Sequence, residues 1–269
     1  NKRSRERSEK ERLNIKRTLQ SKSDMANRVK KFVDCRSKDT AERELYIVEG
    51  DSALGSCKLA RDPDFQAVIP VRGKILNCLK ADYGRIFKSD IITDLLKVMG
   101  CGVEVKAKAN KDLSTFDISK LMWNKIIICT DADVDGFQIR TLILTMFYRL
   151  TPTLIEQGKI FIAETPLFEI RTKSQTYYAY SEREKNDVLK DIEGEKYTIL
   201  RSKGLGENEP DMMNLTTMNP ATRRLIRVMP DEAEQTARMF DMLLGDDLDG
   251  RKDFIAKEGS NYIDMADVS

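Results

Sequence analysis

The stretch Lys125–Gly136, KIIICTDADVDG, places Asp131, Asp133 and Asp135 at alternate positions after an apolar run and closes on Gly136. In extended backbone, alternate side chains leave on the same side. Ionised carboxylates so placed repel by about 3 kcal/mol per pair at roughly 6 Å and an effective dielectric near 20. A positive partner has to offset that. A fourth acid, Glu49, ends another apolar run in ELYIVEGDSALGS.

Four readings compete for the acidic run. A solvated turn with helix-capping acids accounts for one aspartate, or two. A calcium loop of the D-x-D-x-D-G type fits the first six positions. It then needs a bidentate Glu at the twelfth, where Leu142 stands, and a helix rather than a strand before it. An aspartate-nucleophile phosphatase of the haloacid dehalogenase type matches Asp131-Ala-Asp133-Val134 at a strand end, although such a motif usually opens its domain. A magnesium site for phosphodiester chemistry takes Glu49 as its fourth acid, because Mg²⁺ uses few protein carboxylates and completes its shell with water and phosphate oxygens.

The elements that must position these acids follow from apolar periodicity. ELYIVEGDSALGS reads as a strand, a tight turn and a helix start, and FQAVIPVRGKILN as a strand leading to a basic loop. Ile91, Ile92, Leu95, Leu96 and Met99 recur at helical spacing between a Ser89 cap and a Gly100 stop. KIIIC is continuous and β-branched, as in a parallel sheet covered on both faces. Ile139, Leu142, Ile143, Met146, Phe147 and Leu150 form a helical stripe that ends or restarts at Thr151-Pro152. Strand, acidic turn and helix thus occur twice, which predicts an open α/β sheet with both acidic clusters at strand carboxyl ends, where ligands bind. Farther on, KIFIAETPLFEIRT and QTYYAYS read as strands and DEAEQTARMFDMLLG as a helix ended by Gly245.

Composition narrows the chemistry. The chain has no histidine, which removes histidine triads, histidine general bases and histidine zinc sites. Its five scattered cysteines form no C-x-x-C pair and predict reduced thiols in a cytosolic protein. No apolar run approaches the roughly 20 residues a membrane span needs. The charged opening excludes a signal peptide, and a first residue of Asn suggests a piece of a longer polypeptide. Residues 1–31 carry twelve Lys/Arg against four acids, whereas residues 231–269 carry four against eleven. A basic arm suits a polyanion, although a solvated helix is the blander expectation.

Taken in order, LYIVEGDSALGS, IPVRGKILN, ICTDADVDGFQIRTL and KGLGE resemble the B subunit of bacterial type IIA topoisomerases, the family of DNA gyrase B and its topoisomerase IV counterpart. DCRSKDTAERELYIVEGDS resembles the lead into that family's TOPRIM domain, and RRLIRVMPDEAEQTARMFDMLLGDD its carboxyl end. The resemblance implies a Rossmann-like parallel sheet flanked by helices, divided as a basic arm or linker over 1–42, a TOPRIM domain over 43–160 and an α+β tail over 161–269. It also implies catalytic roles for Glu49, Asp131 and Asp133, with Asp135 joining them around one or two Mg²⁺ ions, for which Mn²⁺ can substitute. The resemblance further implies that Glu49 serves as general acid or base at the leaving 3′ oxygen. Arg72, Gly73, Lys74 and Lys203 are the implied contacts to double-stranded DNA.

In that family the nucleophilic tyrosine comes from the A subunit of an A2B2 heterotetramer, and ATP is used by a module that would precede residue 1. The implied location is the bacterial cytoplasm, at the nucleoid, with no membrane partner. Three residues depart from the family pattern: Leu54 for a glycine, Gln138 for a histidine, and Leu79 for a glutamate in a segment tied to inhibitor binding. Leu54 and Gln138 motivate the alternative of a cleavage-impaired paralogue that binds DNA and the A subunit.

Overall fold

The computed structural model describes residues 29–105, 113–202, 204–230 and 233–261. Most of the basic arm, and Lys203, lie outside the described residues. In chain order the main elements are β1 (Glu44–Glu49), α1 (Gly50–Ala60), β2 (Gln66–Val71), α2 (Asp90–Met99), β3 (Lys125–Cys129), α3 (Val134–Leu150) and β4 (Ile160–Ala163). There follow β5 (Phe168–Thr172), β6 (Thr176–Ala179), α4 (Glu182–Asp191), β7 (Tyr197–Arg201), β8 (Leu225–Arg227), α5 (Ala233–Leu244) and α6 (Leu248–Glu258).

Five strands form the main sheet in the order β2-β1-β3-β4-β8. The first four run parallel and β8 runs antiparallel along β4. Strand side chains alternate between faces, and the core divides accordingly. Leu45, Ile47, Ile126 and Ile128 bury against α2 and α3, where Leu95, Ile143, Met146 and Phe147 meet them. Tyr46, Val48, Ile127 and Cys129 bury on the other face, against Ala53 and Cys57 of α1 and against Leu205, Met213 and Met218. Both faces are covered, which is why the strands read as unbroken apolar runs. The expected α/β parallel sheet is present.

The expected helix over Ser89–Met99 forms as α2, with Gly100 stopping it in left-handed conformation at φ 81°. The tail is built into the same sheet: β4 crosses the 160/161 position, and β8 returns to pair with it. At the opposite end of β1 from Glu49, Glu44 is nearly fully buried and accepts from both terminal guanidinium nitrogens of Arg223, at 2.5 and 2.6 Å. Gln66 donates to Glu44 at 3.0 Å and to the Met218 carbonyl at 2.8 Å, and Tyr46 donates to Thr217. These buried groups fasten residues 217–223 to the sheet.

A second, three-stranded antiparallel sheet, β6-β5-β7, has its own small core of Phe168, Ile170, Ala179 and Ile192 under α4. It leaves and rejoins the main body at one point, where Ser202 N donates to the Leu167 carbonyl at 2.9 Å. Among the described residues, no helix is long and apolar enough to cross a membrane.

Candidate functional site

The sheet order 2-1-3-4 reverses its winding between β1 and β3, and ligands of such sheets bind outside the strand carboxyl ends at that point. Glu49 is the last residue of β1, and Asp131 stands two residues past the end of β3. The two meet: Asp131 N donates to Glu49 Oε2 at 3.2 Å. Gly50, at φ 76°, then turns the chain sharply into α1, a conformation that costs a side chain-bearing residue more. Gly136 is needed for a different reason. A Cβ there would lie 2.1 Å from the Asp131 carbonyl oxygen, so only glycine lets α3 start this close to the acidic loop.

Asp131 Oδ1 accepts a 2.8 Å bond from Leu205 N, and Gly204 lies so close that a Cβ would sit 3.1 Å from Asp131 Oδ2. Asp133 caps α3, its Oδ1 accepting from Gly136 N at 2.7 Å. Asp135 is largely exposed and pairs with Lys74 at 2.9 Å. The basic loop therefore lies across both acidic segments, since Arg72 Nε reaches Asp51 Oδ1 at 3.2 Å and Lys74 reaches Asp135. Gly73, at φ 66°, turns the chain between them.

Partial burial and the negative charge of Asp131, Asp133 and Asp135 hold the Glu49 carboxyl above its ordinary range, against the bond from Asp131 N. Burial, Asp133 and Glu207 likewise raise Asp131, against the bond from Leu205. Raised proton affinity marks a surplus of negative charge that a cation would relieve. The oxygen-only donors fit a hard divalent ion. Among the described residues, no three acids or cysteines close around one point as a full cage.

Of the residues expected from sequence, Glu49 and Asp131 are thus in direct contact, with Asp133 beside them, while Asp135 is turned to the basic loop. Sequence reading passed over Leu205, whose amide holds Asp131, and Asp51, which holds Arg72. The glycines of KGLGE and the Asp of EGDS were the available signals.

The Toprim domain family matches residues 44–165, and the family described as DNA gyrase B subunit, carboxyl terminus, matches residues 194–256. The DNA gyrase B subunit of Thermotoga maritima is 45% identical over 227 residues, covering 84% of this chain and 34% of that protein. Its counterpart in Clostridium acetobutylicum is 46% identical over 237 residues, covering 87% and 36%, and that of Archaeoglobus fulgidus 46% over 225, covering 84% and 34%. The chain belongs to the gyrase B family of type IIA topoisomerase subunits. It spans about a third of the length of these relatives.

The match places the acidic centre inside the Toprim domain and α5 inside the gyrase B carboxyl terminus. Within the Toprim domain, Leu54 occupies the interior of α1, half-buried against the second core, where a left-handed glycine is not required. Gln138 is exposed near the start of α3, and Leu79 is half-buried just past the basic loop.

Proposed function

We propose that this chain supplies the metal-binding half of a centre that cleaves and reseals double-stranded DNA, with Mg²⁺ as the ion and Mn²⁺ as a substitute. The observation that carries the proposal is the meeting of Glu49 and Asp131 at the sheet's switch point, under a loop whose Arg72 and Lys74 pair with Asp51 and Asp135. Glu49, Asp131 and Asp133 would hold the ion, with Asp135 alongside. Held there, the ion would supply positive charge to offset the negative charge that develops on the scissile phosphate and on the departing 3′ oxygen.

The chain's own groups do the rest. Glu49 acts as general acid or base at the 3′ oxygen. Arg72 and Lys74 exchange Asp51 and Asp135 for backbone phosphates, a contact that positions DNA without reading its sequence. Gly73 lets the loop backbone approach the duplex, and Lys203 adds a further DNA contact. Leu205 N keeps one Asp131 oxygen fixed in direction.

The reading assigns the nucleophilic tyrosine to an A subunit in an A2B2 assembly, and ATP use to a part of the protein beyond this chain. The assembly acts in the cytoplasm, at the nucleoid. Leu54 no longer argues for a cleavage-impaired paralogue, because a helical interior accepts leucine without strain. The Toprim match removes the ground for a phosphatase.

The test combines the full-length subunit with its A-type partner, supercoiled plasmid and Mg²⁺, and traps the products with detergent. Protein-linked linear DNA is expected, falling at least about 100-fold with Asp131→Ala, in keeping with loss of a group that stabilises the transition state. Undiminished cleavage by that variant would refute the assignment.

A further inference from the structure

Among the described residues, Lys31 is the one non-glycine with left-handed backbone, at φ 64°. Such a conformation persists where the surroundings fix it. Here they do. Val29 is buried on one side. On the other, Phe32 meets Trp123 edge-on at 6.2 Å, and Val33 exchanges two 2.9 Å backbone bonds with Val68 of β2. Lys31 is thereby held where its Nζ pairs with Asp51 in the first turn of α1. The same carboxylate takes Arg72 Nε at 3.2 Å, so one acid lies between two cations, two residues from Glu49.

We propose that Lys31 is a positioning residue for the DNA-cleavage centre. It compensates the charge of Asp51 so that Arg72 is free to move to a phosphate. The inference rests on the topoisomerase reading above. Once Arg72 leaves, Asp51 would otherwise face both Glu49 and the incoming phosphate as an uncompensated anion. With Lys31 in place that anion stays neutralised, and the exchange of Arg72 costs less. The segment leading into the Toprim domain is thus coupled, through Lys31 and Asp51, to the loop that receives DNA.

A double-mutant cycle tests this in the full-length subunit assembled with its A-type partner. The variants are Lys31→Gln, Asp51→Asn, the pair together, and Lys31→Arg. Binding of a fluorescent duplex without metal is measured against salt, alongside Mg²⁺-dependent cleavage. Lys31→Gln should weaken duplex binding about three-fold at low salt, the scale of one exposed ion pair in a charge network. The same change in the Asp51→Asn background should have no effect, because the charge it compensates is gone. Lys31→Arg should bind as the unmodified protein does.

An equal loss in both backgrounds, or no loss at all, overturns the inference. A merely structural staple is broken by either substitution, so Asp51→Asn would then weaken duplex binding as Lys31→Gln does and lower the melting temperature with it. If Lys31→Gln does not fold, the remaining pair decides: Asp51→Asn should tighten duplex binding, and failure to do so counts against the inference. Absence of cleavage by the unmodified assembly would overturn the topoisomerase reading and this inference with it. Loss of the coupling alone overturns only the role of Lys31.

Discussion

Gly136 shows how closely one residue constrains the site. Because its missing Cβ would overlap the Asp131 carbonyl at 2.1 Å, Gly136→Ala must push either the acidic loop or the first turn of α3 aside. A loss of about 1–3 kcal/mol in denaturant stability is expected, the usual scale of overpacking, together with a weaker response to Mg²⁺. The acids beside it make a pH prediction whose sign is fixed. A carboxyl raised in the folded state binds protons more tightly there than in the unfolded chain, so its contribution is lost as pH rises through the folded value. Glu49 and Asp131 therefore destabilise the ion-free protein above their ordinary values of 4.5 and 3.8. A bound divalent ion relieves that repulsion, and protons compete with it. Adding Mg²⁺ should raise the melting temperature at neutral pH, with the gain shrinking as pH falls into the acid range. Glu49→Gln should raise the ion-free melting temperature and reduce the Mg²⁺ response. An Mg²⁺ gain that is independent of pH and of Glu49 would contradict this account.

Elements decide what a family-pattern departure means, and α1 is the case in point. Leu54 lies in the helix interior and packs on the second core. Leu54→Gly should then destabilise by about 2 kcal/mol, combining roughly 1 kcal/mol of helix propensity with the lost apolar contact. Urea unfolding of the two proteins measures it, and a more stable glycine variant would show that this reading of α1 is wrong. Elements also set what was legible in the sequence. β1, β3, α2 and α3 were readable because their burial is regular: continuous apolar runs for buried parallel strands, a 3.6-residue stripe for the helices. β7 was not, since all five of its residues are exposed, nor was α4, EREKNDVLKD, which has no buried residue. The four acids could be found because charge at a strand end is conspicuous. Their different partners could not, because Leu205, Arg72 and Lys74 lie far along the chain and reach the acids only through the fold.

At the scale of the whole molecule, the Glu44–Arg223 pair decides whether the tail belongs to the Toprim sheet. Both side chains are almost completely buried, at 3% and 5% exposure, with Gln66, Tyr46 and Lys125 completing the hydrogen bonds. Burial pushes the Glu44 carboxyl up, but the bonds from Arg223 and Gln66 outweigh it and hold the group below its ordinary value of 4.5. A lowered carboxyl contributes stability that is present above the unfolded value and lost as pH falls through the folded one. This part of the stability should therefore disappear only below pH 4.5, in the opposite sense to Glu49. Glu44→Gln leaves the Arg223 guanidinium buried without its anion and should cost about 3–5 kcal/mol. Removing the cation as well, with Glu44→Gln and Arg223→Met together, should recover most of that loss, since an apolar replacement of a buried pair is nearly neutral. Hydrogen exchange locates the effect. If the pair fastens the tail, Glu44→Gln speeds exchange in residues 217–227 and in β4 together, while β5 and β6, with their separate core, stay as protected as before. Faster exchange confined to the tail, with β4 unchanged, would mean that β8 rests on the sheet edge as an independent flap and that the two family domains are not one folding unit.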